Sequence, residues 1–99
     1  MVTKDEARKY LSDCNPEQCF WVNNGPILKN MEEFANVLPE LSDDVFSHHV
    51  NSEKNDFSSW IRDVIGDSKL AKDLLGSKSK ESALKKIRSR VNSLKKKAG

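Results

Sequence analysis

Glycine is scarce in this chain, with four in 99 residues. That leaves no glycine-rich loop of the kind that cradles phosphates, and no serine sits in a Gly-x-Ser-x-Gly turn. There are only two cysteines, Cys14 and Cys19, at the wide end of zinc-ligand spacing. With one well-aimed histidine they fall short of the four ligands a structural zinc takes. Neither a metal nor a cofactor is expected, and both cysteines are expected as free thiols. No window approaches the roughly 18 apolar residues of a membrane span. Met1 to Tyr10 is polar, with no apolar run behind a basic start. A cytoplasmic protein without membrane contact is therefore the expectation. Acidic residues are plentiful, yet no pair stands out in contrasting surroundings as acid/base chemistry requires. An enzyme is not expected.

What the chain does have is charge, unevenly placed. Residues 1–67 carry 6 basic and 13 acidic side chains, a net of −7, whereas residues 68–99 carry 11 basic and 2 acidic ones, a net of +9. An acidic body with a basic C-terminal third points to an anionic partner, or to self-association through opposite charges. Ninety-nine residues support one domain with a single modest core, spanning about residues 3–94, and the lysine-rich end 95–99 is expected to fray.

The apolar spacing is helical almost throughout. Thr3 and Glu6 fit a capping box ahead of Ala7, Tyr10 and Leu11, in a helix that Asn15-Pro16 is expected to end. Cys19 to Val22 and Pro26 to Leu28 read as two very short extended runs around Asn23-Asn24-Gly25, where Asn-Gly supplies positive φ. Asn30 and Glu33 open a second helix, with Met31, Phe34, Ala35 and Leu38 at i, i+3, i+4, i+7 up to Pro39. Ser42 caps a third, which carries Val45, Phe46, His48 and His49 and ends near Asn51. Asn55 or Asp56 caps a fourth, with Phe57, Trp60, Ile61 and Val64 on one face and Gly66 as its left-handed stop. Asp67 caps a fifth, bearing Leu70, Leu74 and Leu75 and closed by Gly76. The last places Ala83, Leu84, Ile87, Val91 and Leu94 on one stripe. The fold class is all-α: a compact bundle of about six short helices, with one very short β-hairpin near residues 19–28.

Two constellations are candidate sites. His48 and His49 are adjacent on a helix and point about 100° apart, so only His49, on the Val45/Phe46 face, turns inward. Asn55 and Asp56 lie across the loop from it, beside Trp60. A carboxylate on one ring nitrogen is how histidine bases and ligands are oriented. The plainer reading is that Asp56 caps its helix and that His49 hydrogen-bonds to backbone or to Asn55 and fixes the loop. The second constellation is the last helix, where Lys78, Lys80, Lys85, Lys86, Arg88, Arg90, Lys95, Lys96 and Lys97 surround the non-apolar side. It reads either as a solvated face or as a contact for phosphate backbone or an acidic protein. Few aromatics interleave with the charges, so base stacking is not expected. Ile61 to Leu74 has a distant likeness to a helix-hairpin-helix DNA-backbone motif. It has one glycine where that motif usually has two, and Asp67 would face the phosphates.

The run F-W-V-N-N-G, an E-x-F-A helix, D-D-x-F-x-x-H-V-N, and N-D-F-x-x-W-I-x-D-V-I-G-D-x-x-L-A together resemble an uncharacterised family of small, mostly helical prokaryotic domains of unknown function, common in archaea. The resemblance covers roughly Tyr10 to Leu94. Phe20, Gly25, His49, Asn55, Asp56, Phe57 and Trp60 occupy the pattern's positions. Cys14, Cys19, His48 and the lysine-rich end lie outside it. The family implies a small helical domain and brings no established activity. The expected function is a non-enzymatic binding module, its basic last helix on RNA, DNA or a ribonucleoprotein. The alternative is an accessory or sensory domain binding a small molecule or acidic peptide at His49, Asp56 and Trp60.

Overall fold

Each α-helix begins where a short polar side chain accepts a hydrogen bond from the backbone three residues on. Thr3, Asn30, Ser42, Asn55, Asp67 and Ser79 cap, in order, α1 (Lys4–Leu11), α2 (Met31–Val37), α3 (Asp43–His49), α4 (Asp56–Trp60), α5 (Ser68–Leu75) and α6 (Lys80–Ala98). Each such cap is worth about 1 kcal/mol. The computed structural model describes residues 2–99 and shows the all-α bundle expected, with one hairpin, β1 (Phe20–Trp21) against β2 (Ile27–Leu28).

Several details depart from the spacing argument. α1 stops at Leu11, because Ser12 turns extended and bonds its own backbone N–H and hydroxyl back to the Lys9 carbonyl. Pro16 instead opens a separate short turn, Pro16–Gln18. At α2 the reciprocal bond of the cap falls one residue early, since Glu33 accepts from the Lys29 N–H rather than from Asn30. In the hairpin turn the positive φ of 57° belongs to Asn24. Gly25 is needed for room, because a Cβ there would stand 2.9 Å from Val22 Cγ1.

The face of α4 also shifts. Beyond Trp60 the helix widens to a π turn over Ile61–Ile65, and the Ile61 carbonyl accepts from Gly66 at 2.8 Å. A π turn inserts one extra residue per revolution. The inward position therefore moves from Val64, which is half-buried, to Ile65, which is buried. Gly66 ends the turn at φ 91°, as its left-handed stop requires. On α5 the buried face is Leu70, Ala71 and Leu74, so Leu75 is left exposed at the edge of the arc. Gly76 closes that helix in an ordinary right-handed conformation.

α6 is the axis of the bundle, with α1, α2 and α5 all packed on it through Ala83, Ile87, Val91 and Leu94. It is helical through Ala98. Above it sits an aromatic core in which Phe34 stacks on Phe57 at 4.8 Å and Trp60 meets Phe20 and Phe34 edge-on.

One ion pair fixes how α5 lies on α6. Arg90 of α6 donates from Nε to Asp67 Oδ2 at 2.6 Å and from Nη2 to Asp67 Oδ1 at 2.9 Å. Asp67 Oδ1 also accepts the Leu70 N–H that caps α5. The Asp67 side chain is 1% exposed and that of Arg90 14%. Arg90 is thus a clamp and not part of an outward basic face, which corrects its expected role. Asp67 is likewise turned inward, so the residues of the helix-hairpin-helix likeness are accounted for by two short helices packed on a buried charge. Removing Arg90 leaves a buried carboxylate without its partner, which costs roughly 3–5 kcal/mol. Arg90→Ala should lose that much in urea unfolding while Arg88→Ala, at an exposed position, stays within about 0.5 kcal/mol of the parent. Equal losses would remove the distinction.

Candidate functional site

The His49 cluster is brought together as expected, and its atoms are occupied. His49 ends α3 with its ring packed on Phe20 and Phe57, at centroid distances of 5.0 and 5.2 Å. The Asn23 backbone N–H lies 3.0 Å from His49 Nε2, and a backbone N–H can only donate. Nε2 is therefore the acceptor, and the ring proton sits on Nδ1, 2.9 Å from Asp56 Oδ2. This is the carboxylate–histidine arrangement of a catalytic dyad, but the nitrogen that would act as base is closed by the hairpin turn. Lys54 Nζ adds a second bond to Asp56 Oδ2 at 3.1 Å.

The other two members are also spent inside the fold. Asn55 caps α4 with Oδ1 and donates from Nδ2 to the Leu74 carbonyl at the end of α5. Trp60 Nε1 donates to the Gln18 carbonyl at 2.9 Å, and its ring is buried. The four residues join the hairpin, α3, α4 and α5 to one another. His48, as expected, is exposed. Among the described residues no group of three or more histidine, cysteine or acidic side chains is placed to hold a metal ion.

The basic residues of α6 divide by their angle around the helix, at about 100° per residue. Ser82, Ser89 and Ser93 lie along the middle of one arc, with Lys85 and Lys96 on one side and Lys86, Arg90 and Lys97 on the other. Arg88 and Lys95 lie further round beyond Lys85, toward α2. There Lys95 reaches Glu32 of α2 at 2.6 Å, and Arg88 lines a small recess with Glu32 and Asn36. On the solvent side the two sets adjoin, since Lys85 and Arg88 are three residues apart, and the apolar stripe separates them only on the buried side.

On the serine side, α5 and α6 enclose a shallow groove of about 560 Å³, lined by Lys69, Asp73, Ser82, Lys85, Lys86, Ser89, Arg90 and Ser93. It continues past Arg90 and Ser93 into a second recess of about 400 Å³ bordered by Val2, Leu94, Lys96 and Lys97. From Ser82 to Lys97 this is about 22 Å of helix. Two charge pairs in it cancel, Lys69 with Asp73 at 3.1 Å and Arg90 with Asp67. Lys86 Nζ donates to the Asp73 carbonyl at the C-terminal end of α5, so its charge is held in place without being neutralised. Among the described residues no carboxylate lies within ion-pair distance of Lys85, Lys86, Lys96 or Lys97. Hydroxyl donors flanked by uncompensated ammonium groups suit the oxygens of phosphate or carboxylate.

Lys69 and the three serines were not singled out from the sequence. Serines at i, i+7 and i+11 within a lysine-rich helix were the available signal. No family model, curated protein or solved structure matches the chain, so its function has to be argued from this geometry.

The Asp56 carboxyl gives a pH test of the cluster. Burial pushes its pKa up, but the hydrogen bonds from His49 and Lys54 and the Lys54 charge outweigh that and hold it below the ordinary carboxylate value of 3.8. A depressed folded pKa stabilises the native state above the unfolded value, and the contribution is lost as pH falls from about 3.8 through the lower folded value. Asp56→Asn should flatten the acid limb of stability in that window. His49→Ala should cost about 2–4 kcal/mol at neutral pH, since it empties part of the aromatic core and orphans the Asn23 N–H. Urea unfolding across pH measures both; a neutral His49→Ala would deny the cluster its structural role.

Proposed function

We propose that this protein is a non-enzymatic, cytoplasmic binding module that holds the phosphate backbone of RNA or DNA in the groove between α5 and α6. The observation that supports the reading is the uncompensated charge of Lys85, Lys86, Lys96 and Lys97 along a serine-lined channel. Membership of the helical family with the H-V-N…N-D-F-x-x-W core belongs to the same proposal and adds no activity to it.

Contact is to backbone rather than to bases. Among the described residues no aromatic side chain lines either recess, and the strongly exposed Trp21, at 69%, stands on the hairpin. Lysine–phosphate contacts release counterions and carry no sequence information. The ligand reading at His49, Asp56 and Trp60 has less support, because its donors and acceptors are already bonded within the fold.

Fluorescence anisotropy with a labelled single-stranded RNA at several salt concentrations tests this. Affinity should fall steeply with salt and differ little between unrelated sequences. Each groove lysine removed should reduce the slope of log K against log salt by about 0.7. A Lys85→Ala/Lys96→Ala/Lys97→Ala variant should lose about 2 of that slope, while Arg88→Ala, outside the lining of both recesses, keeps it. Equal losses for the two would place any binding outside the groove, and no binding at low salt would end the proposal.

A further inference from the structure

Cys14 and Cys19 flank the Pro16–Gln18 turn, and the fold brings their sulfurs into contact. Cys14 Sγ donates to Cys19 Sγ at 3.5 Å, and both residues are half-buried free thiols. The loop that carries them is fastened on three sides. The Cys14 N–H bonds to the Lys29 carbonyl just past β2 at 2.8 Å. Cys19 leads directly into Phe20 of β1. Between them, the Gln18 carbonyl accepts the Trp60 indole N–H. The encounter of the two thiols is thus already arranged by the folded chain, and the remaining approach to a disulfide bond is roughly 1.5 Å.

We propose that Cys14 and Cys19 are a reversible dithiol–disulfide site, oxidised through thiol–disulfide exchange by low-molecular-weight disulfides of the glutathione class. Cys19 attacks one sulfur of the small disulfide and releases one small thiol, leaving a mixed disulfide on Cys19. Cys14 then attacks the Cys19 sulfur and releases the second small thiol. The protein loses two hydrogens, the small disulfide is reduced to two thiols, and reduction by the same small thiol runs the sequence backwards. The order follows from the surroundings. Burial first, and then the neighbouring Cys19, pushes the Cys14 thiol up to about 11, so Cys14 does not begin the exchange at neutral pH. Once Cys19 is capped by the small thiol, its contribution to that elevation is gone.

The closed form also has an internal reporter. Gln18 lies inside the short loop that the disulfide would close, and its carbonyl holds the buried Trp60 ring. Drawing the sulfurs together shifts that carbonyl and with it the indole hydrogen bond.

The test treats the full chain with oxidised glutathione at neutral pH and reads free thiols, intact mass and tryptophan emission. In the parent protein, free thiols should fall from two to none per chain, with a mass loss of two hydrogens, no retained glutathione and no linked chains. Cys14→Ser should stop at one retained glutathione, and Cys19→Ser should keep its remaining thiol. A Trp21→Phe background leaves Trp60 as the only indole, and its emission should shift on oxidation and return with reduced glutathione. Two retained glutathiones, chains linked in pairs, or thiols unchanged in excess oxidised glutathione would each overturn the proposal. The circular dichroism of both serine variants checks that they remain folded.

Discussion

The bidentate pair between Asp67 and Arg90 is the contact on which the arrangement of the C-terminal half depends. A carboxylate this deeply buried has to be both paired and fully hydrogen-bonded to be tolerated. Asp67 meets that demand by accepting from Leu70 N–H at the start of α5 and from two guanidinium nitrogens of α6. One side chain therefore sets where the π turn ends, where α5 begins and how α5 lies across α6. One turn before Arg90, Lys86 bonds the carbonyl of Asp73 at the other end of α5. A helix held at both ends by residues from one face of its neighbour leaves a groove beside that face.

Much of the fold was legible because helix starts are local events. The side chains at Thr3, Asn30, Ser42 and Asp67 can satisfy backbone donors within one turn of themselves, so spacing alone places them, whereas at the fourth start spacing left Asn55 and Asp56 as equals and the structure takes Asn55. The inward turn of His49 was legible for a similar reason, since Val45 and Phe46 fix the buried face and Asp56 is seven residues away. What spacing could not supply was rotation and long-range partnership. The widening at Ile61–Ile65 moves the buried position by one residue, which no regular period contains. Arg90 looks like its basic neighbours until Asp67, 23 residues earlier in the chain, is brought beneath it.

The same limit shaped the reading of the basic end. As a sequence, the last third is a single positive block. Folded, its members have different surroundings. Arg90, Lys80 and Lys86 stabilise the bundle through Asp67, the Leu41 carbonyl and the Asp73 carbonyl. Lys95 pairs with Glu32. Lys85, Lys96 and Lys97, together with the charge of Lys86, face outward over a serine-lined channel. Some of the asymmetry between acidic body and basic end is thus consumed within the chain, and part of the remainder lines one groove beside α6.

The division of α6 into a phosphate-facing flank and a flank facing α2 is tested most directly by amide chemical-shift mapping of the labelled protein during titration with a short single-stranded RNA at low salt. The largest shifts should follow Lys69, Ser82, Lys85, Ser89, Ser93 and Lys96, with Arg88, Lys95 and the His49 cluster nearly unmoved. Shifts centred on Arg88 and Lys95, or on His49, Asp56 and Trp60, would contradict that division.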